Sequence, residues 1–163
     1  MIETERKFII LIPDAERMSE IPGHGVSDIT QTYLDSAPGI TERVRMREYP
    51  ERTEYTHTKK RRISPVSSIE DERELGPREY SSLLGRIKPG TRAIRKTRHT
   101  LPYLSHTLEI DIYPEWEHQC IMECELDGED EDITLPDFIT VIREVTGIKK
   151  YTNASMAKEF PKE

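Results

Sequence analysis

Polar and apolar residues alternate along most of this chain, and this period of two is typical of strands with one apolar face. Short turns that contain Pro or Gly separate the alternating segments. The pattern predicts eight strands, at Ile2–Leu11, Ile29–Asp35, Ile40–Glu48, Thr53–Ile63, Ser68–Leu75, Arg92–Thr100, Ser105–Tyr113 and Gln119–Asp127. There is no internal repeat and no long linker, so residues 1–163 are expected to form one domain.

Helical patterns are few and short. Pro13–Ile21 begins with Pro and Asp, which are favourable in a first helical turn. Pro77–Ile87 and Pro136–Thr146 each carry an apolar stripe at helical spacing, and the second ends at Gly147. Asn153–Phe160 is a last amphipathic segment that we also predict to be helical. The expected fold is α+β but mainly β, with a few short helices covering the sheet.

The composition is rich in charge and lean in apolar residues, since hydrophobic and charged residues each make up 34% of the chain. The net charge of −7 argues against a general nucleic-acid binder, because such proteins carry a basic surplus. No apolar run approaches the ~18 residues of a membrane span, and the first residues lack a signal-peptide pattern. Cys120 and Cys124 lie too far apart on one predicted strand to form a disulfide. We therefore expect a cytoplasmic protein, monomeric or homodimeric, that binds neither nucleic acid nor membranes.

Charged residues on the predicted strands are grouped by sign, because side chains two positions apart share a strand face. The third strand aligns Arg43, Arg45 and Arg47, whereas Glu123 and Glu125 share a face of the eighth. For any single strand, a charged face in water is the simple alternative. Rows of like charge repel, however, and surfaces that serve only solubility mix both signs. Eight strands suffice to close a barrel. If these strands form a closed eight-stranded antiparallel β-barrel with the charged faces inward, the charged rows would line a central tunnel and the apolar faces would point outward against the helices.

Acidic and basic walls inside one tunnel would be tolerated only if bound ions balanced both signs. Paired carboxylates suit hard divalent cations such as Mg²⁺ or Mn²⁺, and Arg and Lys suit phosphate oxygens. A ligand with several phosphates, bound together with a metal ion, would neutralise both walls. The chain has neither a Walker glycine loop nor Gly-x-Gly-x-x-Gly, so strand side chains would have to grip the phosphates.

A series of short motifs follows in order along the chain. The first, Glu3-Thr4-Glu5-Arg6-Lys7, fits a Glu-x-Glu-x-Lys signature near the N-terminus. The others are Gln31-Thr32-Tyr33-Leu34, Arg43-Val44-Arg45, Thr58-Lys59-Lys60, Glu70-Asp71-Glu72, Lys96-Thr97-Arg98, Glu109-Ile110-Asp111, Glu123-Cys124-Glu125, and Glu144-Val145-Thr146 with Tyr151-Thr152-Asn153. As a set, they resemble the CYTH domain of the triphosphate tunnel metalloenzymes, over residues 2 to about 158.

The resemblance implies an eight-stranded tunnel and divalent-metal-dependent hydrolysis of triphosphates, most often inorganic triphosphate in simple bacterial members. The metal ligands that it implies are Glu3, Glu5, Asp111, Glu123 and Glu125. The substrate-binding residues that it implies are Lys7, Arg43, Arg45, Lys60, Lys96 and Arg98, and we add Arg62 as a further candidate. Glu5, Glu123 and Glu125 are the candidates for accepting the proton of the attacking water. The segment at about 153–160 would plug one end of the tunnel.

One position departs from the family pattern. Many bacterial relatives carry Arg where this chain has Ser68, and the sequence leaves open whether Arg62 or Arg73 takes its place. Alternative activities are those of a thiamine triphosphatase, a nucleoside triphosphatase or an adenylate cyclase of the same superfamily. A thiamine site would need an aromatic side chain for stacking, and Trp116 is the lone indole. A non-catalytic polyphosphate- or nucleotide-binding module is the alternative of a different class.

Overall fold

The computed structural model of the protein describes residues Met1–Glu163 and contains all eight predicted strands. Six of them are as long as predicted or differ by a few residues, and β2 and β6 begin or end several residues away from the predicted bounds. The strands are β1 (Ile2–Leu11), β2 (Gly25–Leu34), β3 (Thr41–Glu48), β4 (Thr53–Arg62), β5 (Ser67–Glu74), β6 (Ile94–Tyr103), β7 (His106–Ile112) and β8 (Gln119–Glu125).

These strands form a closed antiparallel barrel. Their order around the sheet is β5-β4-β3-β2-β6-β7-β8-β1, and β1 closes the ring by pairing with β5. The closing ladder is short, because it joins only Ile2–Thr4 to 67–69. From Glu5 to Leu11, β1 pairs with only one of the other barrel strands, β8. One edge of β1 is therefore left open beyond the closing ladder.

A ninth strand, β9 (Val141–Glu144), occupies that open edge, so the predicted helix at Pro136–Thr146 is wrong. Its residues pair with Phe8–Ile10, where backbone groups of β1 would otherwise lack partners. The apolar stripe that suggested a helix does not face one surface: Phe138 packs outside the barrel, whereas Val145 packs inside it. The need of β1 for a hydrogen-bonding partner thus overrides the local helical pattern.

The other three predicted helices are present at the predicted positions, but each is shorter than predicted. α1 spans Ala15–Ser19, and the Asp14 carboxylate caps it by accepting from the backbone N–H of residues 16 and 17. α2 spans Pro77–Leu83 and continues as a 3₁₀ turn at Leu84–Arg86. A second 3₁₀ turn, Lys149–Tyr151, precedes α3 at Asn153–Met156. None of the helices is long and apolar enough to span a membrane.

The apolar residues form separate clusters around and inside the barrel. Outside, the faces of β1, β6, β7 and β8 are covered by α1 and by the segment that precedes β9, and the faces of β2–β4 are covered by α2. Inside, a third cluster fills one end of the barrel and includes Ile9, Tyr113 and Met156 of α3. The rest of the interior is left for polar side chains. Cys120 and Cys124 are free thiols buried in the outer cluster.

Candidate active site

The charged rows face a common cavity in the middle of the barrel. Its volume is about 880 Å³. The predicted site residues that line it are Glu3, Glu5, Lys7, Arg43, Arg45, Lys60, Arg62, Lys96, Arg98 and Glu123. The period of two along each strand thus places like charges on one inward face, and closure of the sheet brings both signs together.

The register of the barrel sets acidic strands beside one another. Glu123 of β8 lies opposite Lys7 of β1 on one side and Glu109 of β7 on the other. β3 and β4 carry the basic row across the cavity, and Lys60 of β4 is the register partner of Glu70 of β5. The cavity therefore has an acidic wall and a basic wall that meet at the junction of β4 and β5.

Lys60 is the cation that the acidic wall shares. Its Nζ lies 3.1 Å from Glu3 Oε2, 3.8 Å from Glu70 Oε2 and 3.9 Å from Glu5 Oε1. One ammonium group serves three carboxyls, so the wall carries a deficit of positive charge. Such a deficit favours either bound protons or a bound cation.

The carboxyls on this wall are arranged in two pairs. Burial and the neighbouring charge of Glu123 raise the pKa of Glu5 well above its ordinary value. Burial alone would also raise the pKa of Glu123, but Lys7 and a hydrogen bond from Glu5 hold that pKa well below its ordinary value. In the second pair, burial and the neighbouring Glu3 raise the pKa of Glu70 to about 7. In each pair, one carboxyl therefore has a raised pKa and its neighbour a lowered one.

This donor set is compatible with a divalent metal ion. The oxygens are the hard ligands that Mg²⁺ and Mn²⁺ take, and the buried Oε2 of Glu70 has no hydrogen-bond partner. A divalent cation would stabilise the ionised form of these carboxyls. As the side chains stand, no three His, Cys, Asp or Glu residues are grouped tightly enough to hold a metal ion. Metal binding would thus require side-chain rotation.

The basic wall presents cations with unused hydrogen-bonding capacity. The buried Nε of Arg43 has no partner, and the nearest carboxylate oxygen, on Glu70, is 4.0 Å from its Nη2. Arg45 bonds only to the neutral amide of Gln31. Burial, followed by the charge of Arg43, lowers the pKa of Arg45 to about 9, so the guanidinium is still protonated at neutral pH. These groups are suited to accept the oxygens of a polyphosphate.

Asp111, a predicted metal ligand, is instead enclosed by cations and does not line the cavity. It is 0% exposed. Its oxygens accept from Nε and Nη2 of Arg98 at 2.7 and 2.8 Å, and Lys96 Nζ lies 2.7 Å away. Burial would raise the pKa of Asp111, but Arg98 and Lys96 hold it well below its ordinary value. The arrangement is that of a counter-ion for two cavity-lining cations.

Glu125, predicted as both a metal ligand and a catalytic group, also lies outside the cavity lining. It is an exposed residue at the end of β8, opposite Glu5 in the register. Burial and then the charges of Glu3 and Glu109 raise its pKa. Glu125 shares a strand face with Glu123, but only Glu123 of this pair lines the cavity.

The structure answers the question raised by Ser68. Arg62 is the register partner of Ser68 and lines the cavity, where its Nη1 donates to the carbonyl of Pro65 at 2.8 Å. Arg73 lies away from the cavity and pairs with Glu79 at 3.0 Å. Of the two candidates, Arg62 is the one that stands near the position of the missing arginine.

Several lining residues carry no predicted role. Arg47, Glu70, Glu72 and Glu109 lie on the inward rows identified from the sequence, so the alternating pattern was sufficient to find them. Other lining residues come from connections, where no strand period exists to reveal which side chains turn inward. These include Lys88, Lys149, Asn153, Ser155 and Lys158.

Comparison with solved structures identifies similar folds. The inorganic triphosphatase NE1496 matches with a TM-score of 0.60 and 25% sequence identity, over 98% of this chain and 97% of that chain. The PH1819 protein from Pyrococcus horikoshii OT3 matches with a TM-score of 0.59 and 18% identity, over 78% of this chain and 80% of that chain. HpAC1 from Hippeastrum, which has a dominant triphosphatase activity, matches with a TM-score of 0.50 and 16% identity, over 76% and 80%. At these identities the last two show the fold alone.

Protein-family models and curated protein sequences give no match. The resemblance predicted from the motifs is thus confirmed by structures rather than by sequence profiles.

Proposed function

We propose that this chain, which has the fold of the CYTH triphosphate tunnel metalloenzymes, hydrolyses inorganic triphosphate to diphosphate and phosphate with Mg²⁺ or Mn²⁺. The observation that carries the proposal is the central cavity, where arginines of β3 that form no hydrogen bond to a carboxylate face the carboxyls of β1, β5 and β8. The similarity over nearly the whole length to the inorganic triphosphatase NE1496 supports the same reaction.

The basic wall would hold the phosphate chain. Triphosphate carries about four to five negative charges near neutral pH, and contacts with Arg and Lys in a shielded cavity are stronger than in water. Arg43 and Arg45 offer guanidinium groups with no carboxylate oxygen closer than 4.0 Å, and Lys96, which lies 2.7 Å from Asp111, adds a point charge when it is protonated. These residues would align the chain for attack at a terminal phosphorus.

The acidic wall would hold the metal and accept a proton. Glu3, Glu5, Glu70 and Glu123 are the residues that would bind the cation, which would polarise the phosphate oxygens and the attacking water. Burial and Glu123 raise the pKa of Glu5, so its carboxylate is the stronger base of the pair when it is ionised, as it would be beside a bound cation. As the water oxygen forms a bond to phosphorus and the bond to the leaving diphosphate breaks, Glu5 would accept the water proton.

The lining of the cavity favours an inorganic substrate over an organic triphosphate. Tyr33 is the one aromatic residue that lines it, and its hydroxyl accepts a hydrogen bond from Gln31. Trp116, the candidate for stacking on thiamine, is 4% exposed and packs edge-on against Tyr113 and Phe160. Tyr33 is itself 5% exposed, so a thiazole, pyrimidine or purine ring would find little aromatic surface in the cavity.

Phosphate release from inorganic triphosphate, thiamine triphosphate and ATP tests the proposal, with Mg²⁺, Mn²⁺ or a chelator. We expect metal-dependent release from inorganic triphosphate and little from the other two. Asp130→Asn, in an exposed loop away from the cavity, is the control that should keep full activity. Tight binding of triphosphate with no turnover under any metal would instead favour the non-catalytic binding module.

A further inference from the structure

Two arginines that line the cavity, Arg45 of β3 and Arg98 of β6, have partners of different charge. Arg98 is held by carboxylates, with Asp111 at 2.7 and 2.8 Å and Glu109 at 2.6 Å. Arg45 is held by the neutral side chain of Gln31, whose Oε1 accepts from Nε at 3.2 Å and from Nη2 at 3.0 Å. Arg45 forms no hydrogen bond to a carboxylate.

The amide of Gln31 is itself fixed in one orientation. Gln31 is 0% exposed, and its Nε2 donates to the hydroxyl of Tyr33 at 2.8 Å. With the NH₂ group committed to Tyr33, the carbonyl oxygen is the atom that must meet Arg45. Gln31 is also the cross-strand register partner of Arg45, so the backbone ladder of β2 and β3 sets their separation.

A neutral acceptor orients a guanidinium group without cancelling its charge. A carboxylate in the same place would give the same fork of hydrogen bonds but would form an ion pair, as Asp111 does with Arg98. Arg45 uses Nε and Nη2 to donate to Gln31, so its Nη1 and its positive charge remain for a ligand in the cavity.

We propose that Gln31 is a positioning residue that holds Arg45 in a fixed orientation while leaving its charge available to the polyanionic substrate. This inference rests on the proposed function for the identity of the ligand. Gln31 of β2 would thus contribute to substrate affinity without contacting the substrate.

The isosteric substitution Gln31→Glu tests the proposal, because it keeps the acceptor and adds the charge that the native residue lacks. We expect the Kd for inorganic triphosphate, measured by calorimetry in the presence of a chelator, to rise about tenfold or more, as for a lost charged contact. KM should rise in parallel with less change in kcat. The Tm of the ligand-free variant should increase, because a buried guanidinium gains a counter-ion.

Two further variants separate positioning from simple packing. Gln31→Leu removes the acceptor, so it should weaken triphosphate binding and lower the Tm together. Gln119→Glu makes the same chemical change at a buried glutamine that does not line the cavity, and it should leave the Kd unchanged while lowering the Tm.

For Gln31→Glu we expect the Tm to rise while the affinity for inorganic triphosphate falls. Unchanged affinity in Gln31→Glu, or a fall in Tm that matches that of Gln31→Leu, would overturn the proposal. Failure of the wild-type protein to bind inorganic triphosphate would refute the proposed function instead, and the ligand-free Tm values would still test the arrangement of Gln31 and Arg45.

Discussion

Replacing Asp111 by Asn separates a counter-ion from a metal ligand. Asp111 is fully buried and balances Arg98 and Lys96, at contact distances of 2.7 to 2.8 Å. The asparagine keeps the shape of the side chain but leaves two buried cations with one partner fewer. Removal of one member of a buried ion pair costs about 3–5 kcal/mol.

The corresponding change in Tm is large enough to measure by circular dichroism. For a domain of this size, 1 kcal/mol shifts the Tm by about 2–4 °C, so a fall of about 6–20 °C is expected. Folding lowers the pKa of Asp111, so its contribution is complete above the unfolded pKa of about 3.9 and is lost as the pH falls further. The difference between the two proteins should therefore shrink only in strong acid.

The ligand response of the same variant is the more discriminating measurement. Triphosphate brings negative charge to Arg98 and Lys96, so it should raise the Tm of the variant more than that of the wild type. Asp130→Asn, at an exposed loop position, should stay within about 0.5 kcal/mol of the wild type. A variant that is as stable as the wild type but binds Mg²⁺ or Mn²⁺ much more weakly would show that Asp111 is a metal ligand and that this reasoning is wrong.

Three other outcomes follow from the cavity and its rim. Glu5→Gln should abolish phosphate release without lowering the Tm, because a neutral amide replaces an acid whose pKa is already raised; full metal-dependent activity in this variant would exclude Glu5 as the base. Burial, opposed by Asp111, lowers the pKa of Lys96 to about 7, so the charge of Lys96 is lost as the pH rises through 7. Binding of triphosphate at pH 8 in the presence of a chelator should therefore be accompanied by uptake of a proton. Calorimetry in buffers of different ionisation enthalpy measures this uptake, and its absence would show that Lys96 stays charged. Gly147→Ala should cost about 1–3 kcal/mol, because φ is +73° and an added Cβ would lie 2.9 Å from Pro65 Cβ; Gly128→Ala, with open space around it, is the control in thermal melts.

The alternating pattern was sufficient to predict the barrel strands and the inward rows. A strand turns successive side chains to opposite faces whatever its partners are, so Arg43 and Arg45, or Glu3 and Glu5, share a face by local geometry alone. Repetition of like charges along each row then argued that the rows face one another. This is why most of the predicted site residues line the cavity.

The same local reasoning failed where a partner distant in sequence decides the outcome. The segment before Gly147 has helical spacing, but the open edge of β1 recruits Val141–Glu144 as a strand. Asp111 and Glu123 are both inward carboxyls in sequence terms, yet only the second lines the cavity. The difference arises because Arg98 and Lys96 enclose Asp111. Both cations lie on β6, and the alternating pattern of β7 cannot predict where side chains of β6 are placed.

The sequence by itself thus determined which residues form strands, which charges share a face and which ligand chemistry could balance them, because these depend on spacing along one strand. Only the tertiary structure decided which carboxyls lie side by side, which arginine has no carboxylate partner and which lysines from connecting segments reach the cavity. Those properties depend on distances of a few ångströms between strands, and the register and closure of the barrel set them.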